Sequence, residues 1–328
     1  MALVAVGFSV GFARAADPIS QQTPVRILEL NKLTFSEKIP VVSGLAIDST
    51  GKLLATVGDD HVLRIWSLDN GSVLYRFAAH SDWIKAVSFQ PDGKALATAG
   101  NDRRIRFWEI AAGAVPRELP QEPQAIGALV YSPDGKYLAS AGFGDKVRLY
   151  TSDGRLVREF DAPGSDMSAL VFSPDAVQLA AAGRLGLIRI WNVAGGTNVL
   201  DIQGSSRRIC ALAYSPSGKQ LAAAGHERTI RLFDPVSGKT LASLPPTATK
   251  IASLCFCGEK LLAAGGTDDV IRLCNLSTNT EQSQLLGHTG TVDTLAYNPQ
   301  NKTLISGGFD TTVRVWQITS EPEGITQR

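Results

Sequence analysis

Short apolar runs separated by small polar turns recur along the chain, and their pattern alternates too quickly for helices. LATAG (residues 96–100) is followed by NDRR and then IRFWEI, and the same cadence of strand, turn and strand returns with Val, Ile, Leu and aromatics in the runs and Gly, Asp, Asn and Pro between them. Seven of these runs share a finer signature, an arginine two residues before an aromatic or its equivalent: LRIW, IRFW, VRLY, IRIW, IRLF, IRLC and VRVW. Their last residues are Trp66, Trp108, Tyr150, Trp191, Phe233, Cys274 and Trp316, at spacings of 42, 42, 41, 42, 41 and 42. A second block stands upstream of the signature, as in SFQPDGKALATAG (Ser88 to Gly100), VYSPDGKYLASAG (Val130 to Gly142) and AYSPSGKQLAAAG (Ala213 to Gly225).

A period of about 40–45 residues built from four short strands is the mark of a β-propeller, one blade per repeat. The repeats resemble the WD-repeat family over about residues 25 to 318. The expected fold is all-β, a seven-bladed β-propeller. The resemblance implies that an amino-terminal strand completes the last blade, because only QITSEPEGITQR follows Trp316 and supplies no fourth strand. That strand is expected within residues 25–35, VRILELNKLTF, with either Arg26 to Leu30 or Asn31 to Phe35 as the paired segment. Closing the ring removes exposed strand edges.

Residues 1–16 read differently. ALVAVGFSVGFA is a short apolar run followed by Ala13-Arg14-Ala15, an A-x-A cleavage pattern, although no Lys or Arg precedes the run. The segment is expected to be a signal peptide, with an apolar tail as the alternative reading, and it falls short of the roughly 20 residues that cross a bilayer. The domain expectation is therefore a signal peptide at 1–16, a propeller at 17–318 and a polar tail at 319–328. It makes the chain a bacterial-type exported member of the family, periplasmic or extracellular; without the leader it would be cytoplasmic. A monomer is expected.

Charge narrows the partners. With 32 Lys+Arg against 31 Asp+Glu, the chain lacks the basic excess that phosphate neutralisation demands, so nucleic acid is disfavoured. The four cysteines, Cys210, Cys255, Cys257 and Cys274, sit in repeat slots whose phase separates Cys255 and Cys274 by a whole strand, and four free thiols are expected. No phosphate loop, H-E-x-x-H or C-x-x-C motif is present, so neither a cofactor nor a metal is expected, and no catalytic residue is assigned.

The resemblance implies a hydrogen-bonded tetrad in two repeats: His80, Thr98, Asp102 and Trp108, and His288, Ser306, Asp310 and Trp316. A twice-present Ser-His-Asp catalytic triad is the rejected alternative, since no G-x-S-x-G turn accompanies either set. Other repeats keep fragments: Thr56, Asp60 and Trp66 in the first, with Lys38 at the histidine position, and Asp268 in the sixth. The turn carboxylate gives way to Gly144 in the third and Leu185 in the fourth, and is Glu227 in the fifth. Blades 3 to 6 are accordingly expected to be less firmly fastened than blades 2 and 7. The seven signature arginines (64, 106, 148, 189, 231, 272 and 314) are expected to lay their stems on apolar surface and keep their guanidinium groups in water.

Rigid scaffolds with variable loops concentrate binding residues in the loops. In the family, three positions per blade point from the top face, and here they carry Trp83, Lys85 and Asn101 in blade 2, Phe143 in blade 3, and Thr291, Asp293 and Phe309 in blade 7. Blades 4 to 6 place Arg184, Arg208, His226 and Lys250 there. An aromatic sector beside a basic arc suits a protein or peptide with apolar and acidic residues. The competing expectations are that these aromatics fold onto adjacent loops and bind nothing, or that the central channel holds a small ligand or a catalytic site.

Overall fold

In the computed structural model, which describes residues 20–30, 40–111 and 115–318, every regular element is a β-strand. Seven sheets, six of four antiparallel strands and one that adds a fifth strand, form a ring in which each blade's inner strand packs beside the next, the last against the first. The chain is thus a seven-bladed β-propeller. The inner strands are Val42–Ile47, Ile84–Phe89, Ile126–Tyr131, Met167–Phe172, Ile209–Tyr214, Ile251–Phe256 and Val292–Asn298.

There is no single core. Seven apolar layers lie between neighbouring blades, and each signature side chain packs against the preceding blade. Trp108 joins the layer between blades 1 and 2, while Cys274 fills the corresponding slot between blades 5 and 6. Alanine-rich second strands such as Gln178–Gly183 let blades approach closely. Fully burying one large apolar side chain contributes about 1.5–3 kcal/mol, so the layers dominate cohesion.

Closure comes from both ends of the chain. Arg26–Glu29 pairs antiparallel with Thr312–Gln317, Arg26 opposite Val315 and Glu29 opposite Thr312, and Leu28 and Leu30 enter the layer between blades 7 and 1. The pairing segment is therefore the earlier of the two alternatives. The other, Asn31 to Phe35, lies outside the described residues, as do Lys38, the leader at 1–16 and the tail at 319–328. One element was not legible in the repeats: Ser20–Gln22 adds a fifth strand, parallel to Thr280–Leu285 on the outer edge of blade 6. On the opposite face, Asn298 Nδ2 donates to the Gly51 carbonyl at 2.9 Å and Gln300 to that of Ser49 at 3.0 Å, tying blade 7 to blade 1. All four cysteines are free.

Fastening within blades corrects one sequence expectation. The signature arginines do not keep their guanidinium groups in water: their side chains are 0 to 28 % exposed and all seven meet a carboxylate. A guanidinium in the shielded groove between strands cannot stay fully hydrated, so an opposing charge replaces the lost water. Five partners lie four residues upstream, in the turn: Asp60, Asp102, Glu227, Asp268 and Asp310. Blades 3 and 4, with Gly144 and Leu185 in that turn, supply the carboxylate from elsewhere. Glu122, in the histidine slot before the inner strand of blade 3, accepts from both Arg148 and the Tyr150 hydroxyl, and Asp201 on the outer strand of blade 4 takes Arg189 at 2.7 and 2.6 Å. The tetrad itself stays fragmentary in blades 3 to 6, as the sequence indicated; what blades 3 and 4 recover from other positions is the carboxylate opposite the arginine.

Candidate functional site: the mouth of the central channel

Every inner strand carries a register shift immediately after its first residue, between Val42 and Gly44, Ile84 and Ala86, and so on round the ring. The skipped residue of such a bulge leaves the ladder and its side chain is re-aimed. Here the skipped residues are Ser43, Lys85, Gly127, Ser168, Cys210, Ala252 and Asp293, and all seven line one cavity of about 550 Å³ at the mouth of the channel. Below them Leu45, Val87, Leu129, Leu170, Leu212, Leu254 and Leu295 form an apolar ring. The mouth is a polar cup with an aliphatic floor.

Seven of the ten proposed partner-binding residues converge on this cavity: Lys85, Phe143, Arg208, His226, Lys250, Asp293 and Phe309, with Thr291 beside them. Trp83, Asn101 and Arg184 do not line it. Phe143 and Phe309 are 53 % and 43 % exposed, large for aromatic side chains. Trp83 corrects the expectation of an exposed indole: it is half-buried, the Lys85 ammonium sits 3.0 Å from its ring centroid, and its indole N–H is buried without an acceptor among the described residues. The cation is drawn by the ring's negative face. Asn101 is half-buried, its backbone N–H donating to the Trp83 carbonyl at 2.9 Å, and Arg184 is exposed.

The electrostatics are uneven. Burial lowers the Lys85 pKa, opposed by Asp293, Asp59 and Asp82. Burial pushes Asp293 up to about 6, opposed by Lys85 alone. His226 is lowered by burial and then by the positive charge of Lys250, Arg208 and Arg207. Cys210, in the same ring, has its thiol raised by burial. The basic arc is also less positive than its sequence suggested, because Asp166 forms an ion pair with Arg208. Asp166 and the ring residues Ser168 and Cys210 occupy the offsets used to choose Trp83 and Lys85, so the same phasing could have found them. Among the described residues no cluster of three or more His, Cys, Asp or Glu side chains could hold a metal ion.

The tetrad residues stand away from the cup, inside their blades. In blade 2 the Trp108 indole donates to Thr98 Oγ1 at 2.9 Å, Thr98 Oγ1 meets His80 Nε2 at 2.7 Å, and His80 Nδ1 meets Asp102 at 2.9 Å. In blade 7 Trp316 donates to Ser306 at 2.8 Å, Ser306 meets His288 Nε2 at 2.7 Å, and His288 Nδ1 meets Asp310 at 2.8 Å. Burial lowers the His80 pKa, although Asp102 opposes the shift. Burial opposes ionisation of Asp102, but hydrogen bonds from His80 and Arg106 hold its carboxyl well below the usual range. Thr98 and Ser306 are completely buried, so neither hydroxyl can meet a substrate. These sets hold strands together.

Comparison with known proteins agrees with the ring. The family description "WD domain, G-beta repeat" matches residues 31–67, 71–109, 116–151 and 279–317, and "Anaphase-promoting complex subunit 4 WD40 domain" matches 162–259. The chain belongs to the WD-repeat family. A stretch of 57 residues is 37% identical to DDB1- and CUL4-associated factor 13 of Dictyostelium discoideum, covering 17% of this chain and 13% of that protein. Mitotic checkpoint protein bub-3 of Caenorhabditis elegans is 32% identical over 69 residues, 21% of this chain and 20% of its own length. WD repeat and HMG-box DNA-binding protein 1 of Mus musculus is 34% identical over 64 residues, 20% of this chain and 6% of its own. The matched stretches span a fifth or less of each of these curated relatives, all of them eukaryotic proteins.

Proposed function

We propose that this propeller is a non-catalytic scaffold that receives a peptide or loop of another protein over the channel mouth. The observation that carries the reading is the pair of exposed phenylalanines, Phe143 and Phe309, on the rim of one cavity that also holds Lys85, Arg208, His226 and Lys250. Apolar side chains of the partner would cover the rings and its carboxylates would meet Lys250 and the neighbouring basic groups, so the partner carries apolar and acidic residues and is not a nucleic acid. The family supports the choice of class, since relatives named for a checkpoint and for factors associated with other proteins share the repeats. Phe143→Ala and Phe309→Ala should each weaken capture of the partner by more than about 1 kcal/mol with the melting temperature unchanged. Unchanged capture with clear destabilisation would make the rings structural.

We further propose that the chain is a bacterial-type exported protein, acting in the periplasm or outside the cell. The A-x-A pattern at Ala13-Arg14-Ala15 supports this, and processing there starts the mature chain at Ala16 or Asp17. Amino-terminal sequencing of native material reads the start directly; an intact Met1 on a cytosolic protein refutes it.

A further inference from the structure

The two charges in the channel-mouth ring are served unequally. Lys85 and Asp293 stand on blades 2 and 7, with only Ser43 of blade 1 between them in the ring, and they form no ion pair with each other. Lys85 has a partner already, the Trp83 ring, and feels three carboxylates. Ser43 is committed too, its hydroxyl donating to the Ile84 carbonyl at 2.5 Å. Asp293 is left in a half-buried cup with one opposing charge, Lys85, that forms no ion pair with it, and an aliphatic floor. A desolvated carboxylate without a hydrogen-bonding partner is costly, and a cation arriving from outside relieves that cost. Access is open on this side: Thr291 and the exposed Phe309, both on blade 7, line the same cavity.

The geometry points to a cation subsite in the channel mouth, anchored on Asp293, that takes one arginine or lysine side chain presented by the bound protein. The inference deepens the scaffold reading by adding to an apolar and acidic partner a single basic side chain that inserts while the rest of the segment lies on the rim. An alkyl stem suits the site, because the charged head can reach Asp293 while the methylenes stay near Phe309. Other groups facing the cavity bound what it takes: Lys85 and Lys250 oppose any cation, Asp166 is spent on Arg208, and His226 is held toward its neutral form, which leaves Asp293 as the carboxylate available to anchor a positive charge. The cup therefore accepts one positive charge.

The test needs no knowledge of the partner. Purified full-length protein is titrated with N-acetyl-L-arginine amide, N-acetyl-L-lysine amide and the uncharged N-acetyl-L-citrulline amide, following amide shifts by NMR. Saturable binding of the arginine or the lysine compound, with shifts confined to the mouth ring, is expected, and citrulline should bind about tenfold more weakly. The stronger of the two cations identifies the side chain. Asp293→Asn should reduce cation binding about tenfold at an unchanged or raised melting temperature, and Lys85→Met should strengthen it severalfold by removing the like charge. Equal binding of citrulline and arginine compounds, no binding of either cation, or full binding by Asp293→Asn overturns the proposal. Because these probes never touch the partner, failure here leaves the phenylalanine test of the scaffold reading intact, and the reverse also holds.

Discussion

Blades 2 and 3 are adjacent copies of one repeat, yet the carboxylate that secures their signature arginine comes from opposite ends of the repeat. In blade 2 it is Asp102 in the turn, shared between His80 and Arg106. In blade 3 the turn holds Gly144, and Glu122 occupies the slot that belongs to His80 one blade earlier. It reaches both Arg148 and the Tyr150 hydroxyl, so one carboxylate replaces the histidine and the aspartate together. What all seven blades share is a carboxylate opposite the guanidinium; which residue provides it is free to change.

The comparison breaks most sharply at Asp102. Its side chain is 4% exposed and that of His80 is 0%, so Asp102→Ala strands the buried imidazole, while Arg106 loses one of two carboxylates and keeps Glu118 at 2.7 Å. The expected loss is about 3–5 kcal/mol in chemical denaturation, the range for removing one member of a buried ion pair. A loss below about 1 kcal/mol would show that water reaches the site readily.

Asp310→Ala is the weaker version of the same break, because Arg314 stands 3.5 Å from the carboxylate and is held less firmly. About 1–3 kcal/mol is expected, loosening the blade that also pairs with Arg26–Glu29. The pH profile carries the same information. Burial opposes ionisation of Asp310, but the hydrogen bond and charge of His288 outweigh it and hold the carboxyl at about 2 against an ordinary 3.8. Its contribution is complete above its unfolded value and is lost as pH falls from about 4 through 2. In Asp310→Asn that acid-side slope should shrink relative to wild type; an identical profile would remove Asp310 from the account.

These contrasts separate what the sequence disclosed from what it did not. A signature arginine every 41 or 42 residues made the blade count and phase legible, because period survives substitution. The arginine partners were legible only where they lay in the adjoining turn. Glu122 is 26 residues from Arg148, a distance that no local pattern reports. Ser20–Gln22 was hidden for a related reason: three polar residues added to an outer edge bury nothing that leaves a hydrophobic trace. At the channel mouth, phasing gathered Lys85, Phe143, Asp293 and Phe309 around one cavity, but it could not foresee that Lys85 folds over Trp83 and leaves Asp293 without an ion pair.

The smallest effect tests whether the two blades are interchangeable solutions. Glu122→Ala should cost about 1–3 kcal/mol, less than Asp102→Ala because no buried imidazole is stranded, while Arg148 keeps Glu159 at 2.7 Å just as Arg106 keeps Glu118. Gly144→Asp alone should lie within about 0.5 kcal/mol of wild type, since Arg148 is already satisfied and the added carboxylate gains little. Steric strain does not forbid it: a Cβ at Gly144 meets Gln124 at 3.6 Å, an ordinary contact, and the backbone is not left-handed. Placed four residues before Arg148, the new aspartate copies the spacing of Asp102 to Arg106. In the double variant it should therefore recover about 1 kcal/mol of the loss from Glu122→Ala, a coupling readable from a double-mutant cycle. Strict additivity would show that the turn position in blade 3 can no longer reach its arginine, and that the relocation of the carboxylate has become irreversible.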